Sequence, residues 1–383
     1  MNFLHLFDNL CFFQLPCIGS HSMSLEINRQ KTRQIHVGNV PLGNGAPIAV
    51  QSMTNTFTED VERTVSQIHR LQDAGCEIVR VAVPDEAAAS AIAGIKQQIA
   101  IPVIADIHFS YRLAIASARS GADALRINPG NIGGKSKIKA VVDCAGDHGI
   151  SIRVGVNSGS IEKAILKKHR APTAMAMVES ALQHLDMIGS FGFDQIKVSL
   201  KASDVGRTIE AYRLFSRKSD FPVHLGVTEA GGLFPGIVKS AIGIGTLLAE
   251  GIGDTMRVSL TRDPVEEVRT GFEILKALNI RQRGPDIISC PTCGRCNIDL
   301  FHIVDEVEKA TMNYVAPIKI AIMGCVVNGP GEAKEADVGI AGGDGRGILF
   351  KKGKVVKTFP QTKLVDVLLK EISDYEQNYI DRN

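Results

Sequence analysis

Three cysteines lie close together, Cys290, Cys293 and Cys296, and a fourth, Cys325, ends an apolar run. CPTC at 290–293 is a two-thiolate clamp stiffened by Pro291. IKIAIMGC (318–325) delivers Cys325 into the turn NGPGEA (328–333), which aims Glu332. Thiolates grouped beside a carboxylate suit either zinc or an iron–sulfur cluster. From spacing alone, Cys290, Cys293, Cys296 and Cys325 are the default four-ligand set; a structural zinc and free buried thiols are the plainer readings. The chain has 8 cysteines, and half of them fall between 290 and 325. A disulfide framework would spread them along a small secreted chain, so clustering in a large one reads as metal binding. Cys76 and Cys144 read as core residues.

A second set of chemistry-bearing residues is basic. Arg80, Arg126, Arg153, Lys197, Lys201 and Arg257 each sit near the end of a β-rich run, with Asp106, His108, Asn128, Asn157, Ser199, Thr228, Glu229 and Ser259 in equivalent places. Arg153 and Asn157, Lys197 and Lys201, and Arg257 and Ser259 are two or four residues apart, which puts each pair on one face of its strand. Burying so many cations is costly unless an anion meets them. Some could instead face outward or pair with Asp106, Asp254 and Glu229. As a set they suit a multiply anionic ligand, because guanidinium forks match phosphate oxygens. Glu229, in VTEAGG, is a candidate proton donor. His108 and His224 are the alternatives, and His224 reads as a core histidine.

The elements that must position these residues alternate regularly. Strand-like runs occur at 48–53, 77–83, 102–108, 124–130, 151–157, 195–201, 222–228 and 254–260, separated by helical patterns such as 60–75 and 264–278. Eight β–α units imply a parallel sheet with the count of a closed (β/α)8 TIM barrel, whose function sits at the C-terminal strand ends. An open dinucleotide-binding sheet would place a Gly-rich loop after the first strand, and QSMTNT (51–56) has none. After Arg283 the pattern changes: GPDIISCPTCGRC, a charged helix near 299–313, a strand at 318–325, the Gly-rich stretch 339–347, a hairpin-like segment and a C-terminal helix make a small α/β domain. The expected division is 1–25, a mis-called start or disordered extension with Met23 as the true start; 26–283, the substrate-binding barrel; and 284–383, the cluster domain.

Net charge is +2 at neutral pH, with no Trp and 5% aromatics. Neither feature suits a nucleic-acid stacking surface. Residues 1–23 lack the basic start of a signal peptide and are interrupted by Asp8, so no membrane span is expected and the cytoplasm is the default compartment.

The segments VGNVPLGNGAPIAVQSMTNT, VRVAVP, ADIHF, LRINPGNIG, IRVGVNSGS, KVSLKASD, HLGVTEAGG, LLAEGIGDTMRVSLT, SCPTCGR and IMGCVVNGPGEA, from about residue 37 to 333, closely resemble the 4-hydroxy-3-methylbut-2-enyl diphosphate synthase family in its short bacterial form. The resemblance implies a [4Fe–4S] cluster on Cys290, Cys293 and Cys325 with Glu332 as fourth ligand, in a domain similar to those of sulfite reductases. It implies two-electron reductive ring opening and dehydroxylation of 2-C-methyl-D-erythritol 2,4-cyclodiphosphate in the methylerythritol phosphate route to isoprenoids. By the same resemblance Arg80, Arg126, Arg153, Lys201 and Arg257 hold the diphosphate, Asn157, Thr228 and Ser259 make polar contacts, and Glu229 lies near the reacting centre. A flavodoxin or ferredoxin is the expected donor. Cys296 departs from the family pattern. A phosphate- or pterin-binding transferase barrel carrying a structural zinc is the competing reading.

One consequence is geometric. The last barrel helix runs back to the face opposite the mouth, and about 14 residues of helix cover roughly 20 Å. A compactly attached cluster domain therefore lies a barrel's height from its own substrate site, which a head-to-tail homodimer would remedy.

Overall fold

In the computed structural model, residues 26–325, 333–343 and 345–382 are described; the expectations for residues 1–25 and for Glu332 lie outside them. The chain opens on a hairpin that short strand length and Pro41 conceal in the sequence: β1 (Ile35–Val37) pairs antiparallel with β2 (Val40–Leu42). Its buried Ile35, Val37 and Leu42 pack on Ala49, Ile78, Ile104 and Ala124, at the starts of four barrel strands. The hairpin thus plugs the N-terminal end of the barrel.

The eight expected strands follow, all parallel where they pair. They are β3 (Ala49–Met53), β4 (Ile78–Ala82), β5 (Val103–Asp106), β6 (Ala124–Ile127), β7 (Ser151–Asn157), β8 (Ile196–Lys201), β9 (His224–Leu225) and β10 (Thr255–Met256). Their spatial order is β8-β7-β6-β5-β4-β3-β10-β9. A parallel bridge between Val198 and Val223, with the Val198 N–H donating to Pro222 O at 2.9 Å, joins the two ends and closes the barrel. Helices surround it because their apolar stripes must be buried against the outward strand residues. Val61–Asp73, for example, buries Val65, Ile68 and Leu71 and is capped by Asp60, which accepts from the Arg63 N–H.

The strands are shorter than their sequence patterns suggest, most of all β5, β6, β9 and β10. β6 stops at Ile127 because Asn128 caps the short helix Pro129–Ile132, accepting from the Gly130 N–H at 3.1 Å. β9 and β10 pair regularly over only two residues each. Regular pairing of β9 ends at Gly226, where Lys201 Nζ and Arg257 O lie 2.4 and 2.6 Å from the position of a Cβ. No larger residue could stand there.

The chain leaves the barrel at its N-terminal end. Arg281 donates to Ile48 O (2.6 Å) and to both oxygens of Glu77 (2.8 and 2.9 Å), just ahead of β3 and β4. A second sheet follows, in the order β11 (Asp286–Ser289), β12 (Lys319–Met323), β13 (Val338–Gly343), β14 (Arg346–Lys351) and β15 (Lys354–Pro360). The first three strands are parallel and the last two form an antiparallel hairpin. Helices Leu300–Thr311 and Leu364–Ile380 cover one face through Ile303, Val307, Leu368 and Ile372. β11 and β13 were not legible as strands. β13 is rich in glycine because the Phe350 ring and Ile298 occupy the space beside Gly339 and Gly342. No helix among the described residues is long and apolar enough to cross a membrane.

Candidate functional site

Strand register assembles the basic residues. Asp106, Arg126, Arg153 and Lys197 are successive partners across β5, β6, β7 and β8, so they stand side by side in one row around the barrel. Asn157 and Lys201 are partners four residues further up. Arg126, Arg153, Lys197 and Lys201 are all buried. Arg126 reaches its place only because residue 155 is glycine: its Nε lies 2.8 Å from where a Cβ would be.

Two carboxylates answer these cations. Asp106 accepts from Arg126 Nη1 at 3.1 Å and lies 3.6 Å from both Arg80 Nε and His108 Nε2. Burial pushes its carboxyl up, but Arg80, His108 and Arg126 outweigh that and hold it far below the usual carboxylate range. Glu267, from the outer helix Pro264–Ala277, reaches in and grips Arg257 with both oxygens at 3.1 Å, while accepting from Ser52 Oγ and the Leu260 N–H. Sequence reading missed it. The available signal was its place on the helix's buried stripe, one turn before Gly271 and beside Val268, where a carboxylate needs a buried partner. Asp254, considered as another counterion, instead engages Arg29, Thr32 and the Val223 N–H.

The remaining positive charge has no counterion among the described residues. Arg153 Nε donates to Ser199 Oγ (3.1 Å), but its Nη1, Arg126 Nε and Lys197 Nζ have no hydrogen-bond partner among the described protein atoms. Burial, reinforced by Arg80 and Arg126, holds Arg153 well below the ordinary arginine value. Burial brings Arg80 down to about 10, against the pull of Asp106. Lys201 is depressed by burial and then by Arg153 and Arg257. Cations crowded without anions disfavour one another's charged forms, and a phosphate group would relieve all of them together.

Thr228 and Ser259 are half-buried on the segments following β9 and β10, and Glu229 is exposed beside Thr228. Glu229 has φ +54°, left-handed backbone that a non-glycine residue adopts at a cost of about 1 kcal/mol. Strain of this kind persists where a site holds the residue in place. His108 is exposed toward Asp106, whereas His224 is fully buried, as a core histidine would be.

The cysteines gather at the C-terminal edge of the second sheet. β11 and β12 are parallel with Ser289 opposite Ile322, so Cys290 and Cys325 emerge from neighbouring strand ends. Cys290 Sγ accepts from the Gly324 N–H at 3.2 Å, and Cys296 Sγ and Cys290 Sγ lie 2.6 and 3.6 Å from the Cβ position of Gly324. Arg295 hydrogen-bonds to Cys293 and lowers its thiol. All four are free thiols. Among the described residues no three His, Cys, Asp or Glu side chains already surround one point as a metal cage. The donor set itself fits an iron–sulfur cluster: soft sulfurs, one supported by a backbone N–H, flank one turn beside an arginine.

The chain matches the description "GcpE TIM-barrel domain" over residues 32–272 and "GcpE protein C-terminal domain" over residues 286–374. It belongs to the GcpE family. A relative from Desulfotalea psychrophila, named 4-hydroxy-3-methylbut-2-en-1-yl diphosphate synthase (flavodoxin), is 57% identical over 92% of this chain and 98% of its own. One of the same name from Geobacter sulfurreducens is 58% identical over 90% and 98%. Among solved structures, dihydropteroate synthase from Stenotrophomonas maltophilia is similar at 13% identity and a TM-score of 0.49, covering 65% of this chain and 97% of that one. A likeness that distant carries no argument about chemistry. Within the GcpE chain, the barrel-type match ends in the helix that supplies Glu267, and the C-terminal match contains all four clustered cysteines.

Proposed function

We infer that this chain catalyses the reductive ring opening and dehydroxylation of 2-C-methyl-D-erythritol 2,4-cyclodiphosphate to 4-hydroxy-3-methylbut-2-enyl diphosphate, in the methylerythritol phosphate route to isoprenoids. The observation that carries the reading is the row Arg126–Arg153–Lys197, buried and only partly neutralised, in a chain well over half identical to relatives bearing that activity's name. The barrel, residues 26–283, binds the substrate. Residues 284–383 hold a [4Fe–4S] cluster through Cys290, Cys293 and Cys325, with Glu332 as the fourth ligand. A flavodoxin supplies the electrons.

The reaction takes two electrons and one proton. The ring's carbon–oxygen bond to phosphate breaks, a hydroxyl leaves as water, and a dianionic substrate becomes a trianionic product. Arg80, Arg126, Arg153, Lys201 and Arg257 neutralise the diphosphate, with Asp106 and Glu267 fixing three of the guanidinium groups. Asn157, Thr228 and Ser259 orient the polar groups of the ring. Glu229, held in strained backbone at the mouth, handles the proton of the departing hydroxyl. When bound, the cluster supplies the electrons and a Lewis-acidic iron for the leaving oxygen. Dithionite-reduced holoenzyme should regain its broad absorption near 400 nm when the cyclodiphosphate is added anaerobically. No reoxidation by the substrate, or a protein containing only zinc, would overturn the reading.

The cluster-bearing unit departs from the N-terminal end of the barrel, opposite the mouth, across a helix of 14 residues. That length is about 20 Å, and we propose a head-to-tail homodimer in which each cluster serves the partner's barrel. Mixing inactive Glu229→Ala and Cys290→Ser chains should then restore part of the activity, approaching one site in two per heterodimer. Heterodimers isolated by two tags that show no recovery would rule this arrangement out.

A further inference from the structure

Beside the arginines the barrel holds polar side chains to which the reaction as described gives no role. Lys197 and His224 are fully buried, and neither Lys197 Nζ nor His224 Nε2 has a hydrogen-bond partner among the described protein atoms. Gln51 on β3 is fully buried, with neither amide atom hydrogen-bonded among the described protein atoms. Lys197 lies in register with Arg153, and the Val198–Val223 bridge puts it at the seam where the barrel closes, one strand from His224. Unpaired polar groups in a closed interior are destabilising, and an aliphatic side chain would avoid the penalty. Their persistence together among these cations points to a charge that arrives from outside.

We propose that Lys197 is a proton acceptor coupled to substrate binding: its amine is neutral in the unliganded barrel and takes up a proton when the dianionic cyclodiphosphate binds. This rests on the reading given under Proposed function. Lys197 stands in one row with Asp106 on β5, Arg126 on β6 and Arg153 on β7, has His224 on the neighbouring β9, and feels the charges of Arg153 and of Arg80 on β4. Lys201 lies four residues further along β8, Arg257 with its partner Glu267 lies just past β10, and the Tyr212 hydroxyl donates to His224 O from the surrounding helix. The two carboxylates are already engaged, Asp106 by Arg80, Arg126 and His108, and Glu267 by Arg257. Burial, with Arg153 and Arg80 close by, holds Lys197 well below the ordinary lysine value. His224 is held down in the same way and stays neutral beside it. Two negative charges entering this space favour the ammonium form. The product carries one negative charge more than the substrate, so the same proton stays useful through turnover.

The sign follows from linkage. A base whose pKa rises on binding takes up a proton, so affinity is highest below the free-site pKa and falls as pH rises through the window up to the bound-site pKa. Calorimetric titration of the cyclodiphosphate into holoenzyme at pH 8, in Tris and in HEPES, reads the proton count from the difference in apparent enthalpy. Wild type should take up close to one proton, and its Kd should weaken by up to about tenfold per pH unit within that window. Lys197→Met and Lys197→Arg, the second charged throughout, should both lose most of the uptake, and Lys197→Arg keeps the readout available should the methionine variant not fold. Binding by wild type without proton uptake, or full uptake in either variant, would overturn the proposal while leaving the substrate reading intact. Failure of wild type to bind the cyclodiphosphate would overturn both.

Discussion

Purified Cys290→Ser is expected to carry almost no iron, to lack absorption near 400 nm and to turn over at least about a thousandfold more slowly than wild type. Cys290 directly follows β11, its sulfur already accepts from the Gly324 N–H, and it stands beside the strand end that delivers Cys325. A serine oxygen there cannot replace a thiolate on iron. The informative contrast is with Cys296→Ser. Cys296 Sγ also crowds Gly324, but it is half-buried and donates to Ile298 O at 3.4 Å, an interaction open to a thiol that packs against the protein and holds no metal. Iron content and spectrum should therefore survive in Cys296→Ser, whereas Glu332→Ala should weaken cluster retention. The reverse, with iron lost in Cys296→Ser and unchanged in Glu332→Ala, would make Cys296 the fourth ligand.

The second large effect separates stability from function at Arg153. Its guanidinium is buried, with one nitrogen bonded to Ser199 and another without a partner among the described protein atoms. Such a group destabilises the unliganded fold, and replacing a buried cation by an apolar chain of similar volume is often neutral or stabilising. Arg153→Met should thus melt at the same temperature as wild type or a few degrees higher. Removing a buried charge from a phosphate site costs about 3–4 kcal/mol of binding, which lowers kcat/KM about 100- to 1000-fold. Differential scanning calorimetry and steady-state kinetics on the same preparation check both halves. A variant that melts well below wild type yet retains affinity would mean that Arg153 serves the fold and not the ligand.

Much of the barrel was legible because strand and helix periodicity are local. All eight strands were placed within a few residues, and so was the helix capped by Asp60, since alternation, caps and turn residues are written along the chain. What escaped lacked length or a pattern. β1 and β2 have three residues each, β11 has four, and β13 disguises a buried central strand as a glycine-rich turn because its neighbours fill the Cβ space. Glu267 escaped for a different reason: it belongs to a helix read as outer packing, and only the closed barrel brings it to Arg257.

By itself, then, the sequence determined which residues end the barrel strands, how the thiols are spaced, and which family the motifs resemble. All of these are properties of short segments. The tertiary structure decided that Arg126, Arg153 and Lys197 stand in one row, that Asp106 and Glu267 hold only some of the guanidinium groups, and that Lys197 Nζ and His224 Nε2 are left without a hydrogen-bond partner among the described residues. Neutralisation depends on which strands become neighbours and in what register, and those pairings join residues far apart in the chain, beyond the reach of local pattern.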